Sequence, residues 1–218
     1  MTMSQATVLP AHEVGGHARH HDEPAHHHPI YDYDSGPPVD RAKFAIWLFL
    51  ATEVMFFTGL IGTYLVLRIG TRVWPNPETR LAVGITAANT FLLITSSWTM
   101  VKALHAIQRG DQGGLVRWLG GTVIGGALFV SVQVYEYLEL IHHGSVPSVD
   151  IFWSTFYTMT GFHGLHVVVG VIWLAVIWIY AARGKFTAQN YLRVELAGLY
   201  WHFVDLVWVL LFTIVYLM

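Results

Sequence analysis

Residues 156–172 read FYTMTGFHGLHVVVGVI: two histidines three positions apart, His163 and His166, inside a run that otherwise suits only hydrocarbon or a dry core. A chain crossing hydrocarbon must satisfy its own backbone polar groups, so a run of this kind is predicted to be helical. The spacing then places both imidazoles on one helical face. Outward from this stretch the same composition recurs. The chain has 218 residues, 54% hydrophobic and 12% charged, and its apolar residues fall into five blocks, approximately 44–67, 81–104, 118–141, 152–180 and 195–217. Each reaches the roughly 20 residues that a spanning helix needs. The predicted fold is all-α: an integral membrane bundle of five transmembrane helices over 44–218, preceded by a polar, histidine-rich tail over 1–43. The tail lacks an apolar segment of the kind a cleavable signal peptide carries, and its polar, proline-bearing composition predicts disorder.

Lysine and arginine placement sets the expected orientation. With five helices, Arg19, Arg41, Lys43, Lys102, Arg109, Arg117, Arg183, Lys185 and Arg193 fall on one side, against Arg68, Arg72 and Arg80 on the other. The tail is therefore expected in the cytoplasm and the C-terminus outside. With zero cysteines, disulfides, thiolate metal sites and covalent c-type haem attachment are excluded. The sequence shows no phosphate-binding loop, no catalytic nucleophile and no basic surface for nucleic acid.

Ionisable residues within spans are costly, about 2.5–3.5 kcal/mol each on insertion scales, and mark positions that face a bundle interior or a partner. Glu53, in WLFLATEVMFFTGL, and Asp205, in LYWHFVDLVWVLLF, both lie about 15 Å into their helices at the helical rise. With His163, His166 and His202 they form one mid-membrane layer. Three readings are open on these residues alone: metal or haem ligation by the imidazoles, a proton relay, and interhelical hydrogen bonding. Ligation lacks the Glu-x-x-His pairing of a di-iron bundle, because Asp205 follows His202 rather than preceding it. In the third block, Gly121 and Gly125 form a small-xxx-small face for close helix approach, with Gln133, Glu136 and Tyr137 nearer the outer end. Trp47, Trp74, Trp118, Trp153 and Tyr216, near block ends, read as interfacial belt residues.

Four segments, WLFLATEVMFFTGLIGTYLVL, VSVQVYEYLEL, FYTMTGFHGLHVVVGVIWL and VELAGLYWHFVDLVWVLLFTIVYL, resemble subunit III of the haem-copper terminal oxidases, the family exemplified by cytochrome c oxidase, in its short five-helix bacterial form. They lie in register over residues 44–218. The resemblance implies a non-catalytic chain that binds neither haem nor copper, both of which reside in partner subunits. It also implies packing against subunit I, association with subunit II, retention of structural phospholipid, and support of proton uptake in a bacterial inner membrane. Glu53, Gln133, Glu136, His163, His166, Trp201, His202 and Asp205 then match the family's intramembrane polar positions, with structural rather than ligating roles. The alternatives carried alongside are a quinol oxidase subunit III, a nitric-oxide-reductase-associated homologue, and a small bis-histidine membrane cytochrome. The longer family members carry a further helical hairpin ahead of the Glu53 helix. Seven tail histidines, His12, His17, His20, His21, His26, His27 and His28, interleaved with acidic residues and titrating near pH 6.5 when exposed, leave two readings open, a solvated tail that binds metal adventitiously and a proton-collecting antenna.

Overall fold

Asp40, Asp111 and Asp150 each end a connection by capping the helix that follows. Their carboxylates accept from the backbone N–H of Ala42, Gly114 and Trp153 at 2.8, 2.8 and 3.0 Å, the preferred way to satisfy the free donors of a helix N-terminus. Glycines close the opposite ends. Gly110, Gly144 and Gly184 adopt φ of 78°, 76° and 67°, and the residue after each donates back to the carbonyls of Ala106, Leu140 and Tyr180. This is the Schellman arrangement, which only a residue free of Cβ strain enters readily.

The computed structural model describes residues 40–72, 74–75 and 81–218. The seven tail histidines singled out above lie outside the described residues. The helices are α1 (Arg41–Gly70), α2 (Val83–Gln108), α3 (Gln112–His142), α4 (Ile151–Ala182) and α5 (Leu192–Phe212). A single π turn, Thr213–Leu217, continues α5. The described chain is thus all-helical, and its five helices correspond to the five apolar blocks.

Four of the five, α1, α3, α4 and α5 with its π turn, are long and apolar enough to cross a membrane. The exception is α2, whose 26 residues extend about 39 Å at the helical rise but include many hydroxyl and amide side chains. Its buried residues explain why. Thr86, Asn89, Thr90, Leu93, Ser96, Ser97 and Met100 recur at three- and four-residue spacing and face the neighbouring helices. The polarity of α2 is therefore turned inward.

Helices α2, α3, α4 and α5 pack on one another, whereas α1 lies against α5 and α4. Small residues set the close approaches. A Cβ on Gly125 would stand 2.9 Å from Ser96 of α2, and one on Gly121 would meet Thr99 at 3.8 Å. That face packs against α2. Gly126, one position round, receives the indole of Trp201. In contrast, α1 buries only Leu50, Phe57 and Tyr64, a seam at seven-residue spacing of the kind that holds one helix along another. Phe44, Trp47, Leu48, Met55, Val66 and Ile69 on its remaining face are exposed. Lys43 and Glu195 join α1 to α5 through an ion pair of 2.8 Å, which solvent screens strongly at such exposure.

Two aromatic residues depart from the expected interfacial belt. Trp153 is 2% exposed and Tyr216 is 0% exposed. Trp153 packs edge-to-face on Phe156 at 5.7 Å, and Tyr216 turns its ring into the core against Phe156 and Phe212. The π turn carries Tyr216 inward, so a residue at the end of a span serves as core.

Candidate functional site

The intramembrane polar residues form three clusters. In the first, Glu53 of α1 meets His166 of α4, with carboxylate Oε2 and imidazole Nε2 3.0 Å apart. The other ring nitrogen, Nδ1, is 2.7 Å from the Phe162 carbonyl. A carbonyl only accepts, so Nδ1 carries hydrogen. Nε2 then either accepts a proton from a neutral Glu53 or, in the imidazolium, donates one to the carboxylate. In both forms one proton lies between the two helices. The Tyr200 hydroxyl donates to the His166 carbonyl at 3.0 Å, and Phe57 lies edge-on to the imidazole at 5.1 Å.

Replacing His166 by Leu strands the Glu53 carboxyl and is expected to lower unfolding stability by about 1–2 kcal/mol, the upper range for an intramembrane hydrogen bond. Glu53→Gln keeps a donor for the imidazole and is expected to cost less than half as much. Unfolding midpoints in detergent measure both, and equal losses would contradict the pairing.

The second cluster lies between α2 and α5. His202 Nδ1 is 3.3 Å from the Ser97 hydroxyl, and Asp205 shares the surroundings of Ser97 and His202. At the adjacent positions, Trp201 donates its indole N–H to Ser96 at 3.1 Å.

The third sits toward the end of the bundle opposite the basic loops. Glu136 Oε1 accepts from Thr86 at 3.1 Å and from Tyr216 at 3.2 Å. Nearby, Trp208 donates to Thr90 at 2.9 Å, and Asn89 donates to the Phe129 carbonyl at 3.2 Å. Gln133 is 5% exposed and lines a cavity of about 150 Å³ between α3 and α4. His163 is 1% exposed. Its ring stacks on Trp208 at 4.9 Å and 26°, with Phe129 edge-on at 6.2 Å.

The two histidines of the HGLH stretch therefore go to different neighbours, His166 to α1 and His163 to α5. His202 turns to α2. A haem or metal centre needs imidazoles converging with a free ring nitrogen. Here the three diverge to three partners, His163 is closed in by aromatic rings, and no group of three or more His, Asp or Glu among the described residues could hold a metal ion. The residues do not fit a haem.

Reading the sequence alone missed the partner side of these clusters: Thr86, Asn89, Thr90, Ser96, Ser97, Tyr200, Trp208 and Tyr216. A signal was present in α2. Its polar residues keep a three- and four-residue spacing, so a helix with a polar inward stripe was legible before any neighbour was known.

Comparison with known proteins follows this arrangement closely in extent. The family model described as cytochrome c oxidase subunit III matches residues 37–218, the whole helical bundle. The quinol oxidase subunit 3 of Bacillus subtilis (strain 168) is 37% identical over 172 residues, covering 79% of this chain and 84% of the relative. The cytochrome c oxidase subunit 3 of Thermostichus vulcanus is 38% identical over 195 residues, 89% and 90% of the two chains. The cytochrome bo(3) ubiquinol oxidase subunit 3 of Pseudomonas aeruginosa is 36% identical over 208 residues, 95% and 93%.

Proposed function

This chain belongs to the cytochrome c oxidase subunit III family, and on that premise we propose that it is the non-catalytic third subunit of a proton-translocating haem-copper cytochrome c oxidase. In this reading it packs against the catalytic subunit I, beside subunit II, stabilises that core and supports its proton uptake. Haem and copper belong to those partners, and phospholipid fills the remaining lateral surface. The membrane is the bacterial inner membrane, with the N-terminal side in the cytoplasm, as the nine basic residues on that side favour.

The observation that carries the reading is the family match over 37–218, which takes in every spanning helix among the described residues. The three polar clusters support a structural role. Glu53 with His166, His202 and Asp205 with Ser97, and Glu136 with Thr86 and Tyr216 each tie one helix to another. Gln133, His163 and Trp201 pack among them. Such a bundle supplies a rigid wall for a partner rather than a reaction centre. A quinol oxidase is the second reading, favoured by the Bacillus and Pseudomonas relatives, whose names specify quinol and ubiquinol.

Mild-detergent purification through an N-terminal affinity tag, with mass-spectrometric identification of every co-purifying polypeptide, tests the proposal. A large multi-histidine membrane subunit carrying haem is the expected companion. A copper-binding second subunit with turnover on reduced cytochrome c supports the first reading. Turnover on quinol without that copper supports the second. Recovery of the chain alone, coloured by haem, would overturn both.

A further inference from the structure

Apolar side chains on the lateral faces of a membrane bundle need no protein partner, because hydrocarbon covers them. A polar side chain at mid-membrane depth on such a face is different: hydrocarbon offers it no hydrogen bond, so it turns to the bundle interior, to its own backbone or to another protein. Most polar residues of the spans take one of the first two routes. Thr52, Thr95 and Ser131 are exposed, but each hydroxyl donates to a carbonyl of its own helix, those of Phe49, Phe91 and Ala127, at 2.6, 2.8 and 2.8 Å. Gln133, Glu136 and His163 are buried. Glu53 and His166 are partly exposed but take each other as partner at 3.0 Å.

His202 and Asp205 follow neither route. Both are only partly buried, and they stand at the middle of the span Leu192–Leu217. The groups beside Asp205 are Ser97 and His202, and His202 Nδ1 is 3.3 Å from the same Ser97 hydroxyl. A hydroxyl carries one hydrogen, whereas a carboxylate accepts at about four lone-pair sites. If Ser97 gives its hydrogen to Asp205, His202 Nδ1 must donate to Ser97, and Nε2 of the neutral ring is left as an acceptor. If Ser97 gives it to His202, Asp205 receives none from Ser97. Acceptor capacity is left over either way, and Asp205 Oδ1 is shielded without a hydrogen bond among the described residues.

The residues around this pair form one lateral face. Ile94, Ser97 and Val101 recur at three- and four-residue spacing on α2, and His202, Leu206 and Val209 do so on α5, so each set shares a side of its helix. Ile94, Val101, Leu206 and Val209 are exposed. The face is therefore an apolar strip with surplus acceptors at its centre. Acyl chains would cover the strip and leave the acceptors unpaired. A helix of another chain can do both, packing on the apolar residues and donating at the level of Asp205, since polar side chains commonly link spanning helices through hydrogen bonds.

We propose that the face of α2 and α5 around His202 and Asp205 is the contact with a transmembrane helix of the catalytic subunit, and that this helix brings a hydrogen-bond donor side chain to the Asp205 carboxyl. The proposal rests on the reading of this chain as an oxidase subunit and adds to it a face, a depth and a chemistry. Because the site offers acceptors, the incoming group is a donor such as an arginine, lysine, tryptophan or hydroxyl side chain. Ile94 and Leu206 flank it as the apolar part of the contact.

Photo-crosslinking in native membranes, followed by purification of the tagged complex, tests it. Benzoylphenylalanine in place of Leu206 or Ile94 is expected to join this chain to the catalytic subunit at least tenfold more than the same group in place of Ile124, an exposed position of α3. The crosslinked peptide should carry a donor side chain within one helical turn of the attachment point. Asp205→Leu is expected to lower the share of the chain that stays with the catalytic subunit in mild detergent at least tenfold. Asp205→Asn, whose amide oxygen still accepts, should lower it less than threefold. If Asp205→Leu fails to accumulate in the membrane, the crosslinks, made with Asp205 in place, still decide. Crosslinks to lipid alone, to a second copy of this chain or to a peptide without a donor would overturn the proposal. So would equal retention of Asp205→Leu and wild type. In each of these cases the oxidase reading stands as long as the wild-type chain co-purifies with a haem-bearing subunit. Purification of the wild-type chain alone would overturn both.

Discussion

Gly126→Val is expected to abolish recovery of the folded bundle, while Gly121→Ala, five positions earlier on the same helix, is expected to leave it intact. A Cβ on Gly126 would stand 2.5 Å from Trp201 Cη2 and 2.7 Å from Val171 Cγ2, both well inside van der Waals contact. Neither neighbour can retreat easily. Trp201 is 1% exposed, its indole N–H is held by Ser96, and the far side of its ring lies against Gly170, where a Cβ would be 3.1 Å away. The indole is thus held between glycines of α3 and α4. Overpacking a well-filled core costs about 1–3 kcal/mol and sometimes more, and valine adds two methyl groups beyond the clashing Cβ. At Gly121 the nearest atom to a Cβ would be Thr99 Cγ2 at 3.8 Å, an ordinary contact. Detergent-solubilised yield by size-exclusion chromatography and the thermal unfolding midpoint measure the contrast. A Gly126→Val variant with wild-type yield and midpoint would show that α3, α4 and α5 are not packed through this indole.

The two glycines also mark what sequence can and cannot reveal. Gly121 and Gly125 form a familiar spaced pair, and the face they make does pack against α2. Gly126 belongs to no such pair, and its need for glycine arises from a tryptophan 75 positions away. The number of helices was legible because apolar blocks of spanning length have few alternatives. The caps carried a signal that went unread, since Asp40, Asp111 and Asp150 stand just before the helices they cap. Partner choice was less accessible. Three residues turn a helix through about 300°, so His163 and His166 share a broad face but differ by enough to meet α5 and α1 separately. Tyr216 shows the same limit. An aromatic residue at the end of an apolar block reads as an interfacial anchor, and only the π turn, which no local pattern announced, brings it to Glu136. The family resemblance supplied what periodicity could not, the oxidase setting.

Tyr216 and Glu136 give the second large expectation. Glu136→Leu is expected to destabilise the chain by about 1–3 kcal/mol, the range for leaving a buried donor unpaired. The two groups that donate to Glu136 are not equally dependent on it. Thr86 has a second acceptor, the Ala82 carbonyl of its own helix at 3.2 Å, and can turn its hydrogen there. The Tyr216 hydroxyl is hydrogen-bonded to Glu136 at 3.2 Å, with the Thr86 hydroxyl also beside it, and the residue is 0% exposed. In Glu136→Leu the Tyr216 hydroxyl therefore loses its carboxyl acceptor and is left with the Thr86 hydroxyl beside it. Glu136→Gln keeps a carbonyl oxygen for the phenol and should cost less than about 1 kcal/mol. Tyr216→Phe keeps the ring among Phe156, Trp208 and Phe212, removes only the hydroxyl, and leaves Glu136 its contact with Thr86. Replacing both partners leaves an apolar pair with no stranded donor, which can be nearly neutral. Glu136→Leu with Tyr216→Phe should then lose less than the sum of the single losses, by at least about 0.5 kcal/mol, the lower end for residues in contact. Reversible unfolding of the four proteins in mixed detergent micelles yields that difference. Strict additivity would mean that Tyr216 finds another acceptor once Glu136 is gone, and that the end of α5 is held in the bundle by ring packing alone.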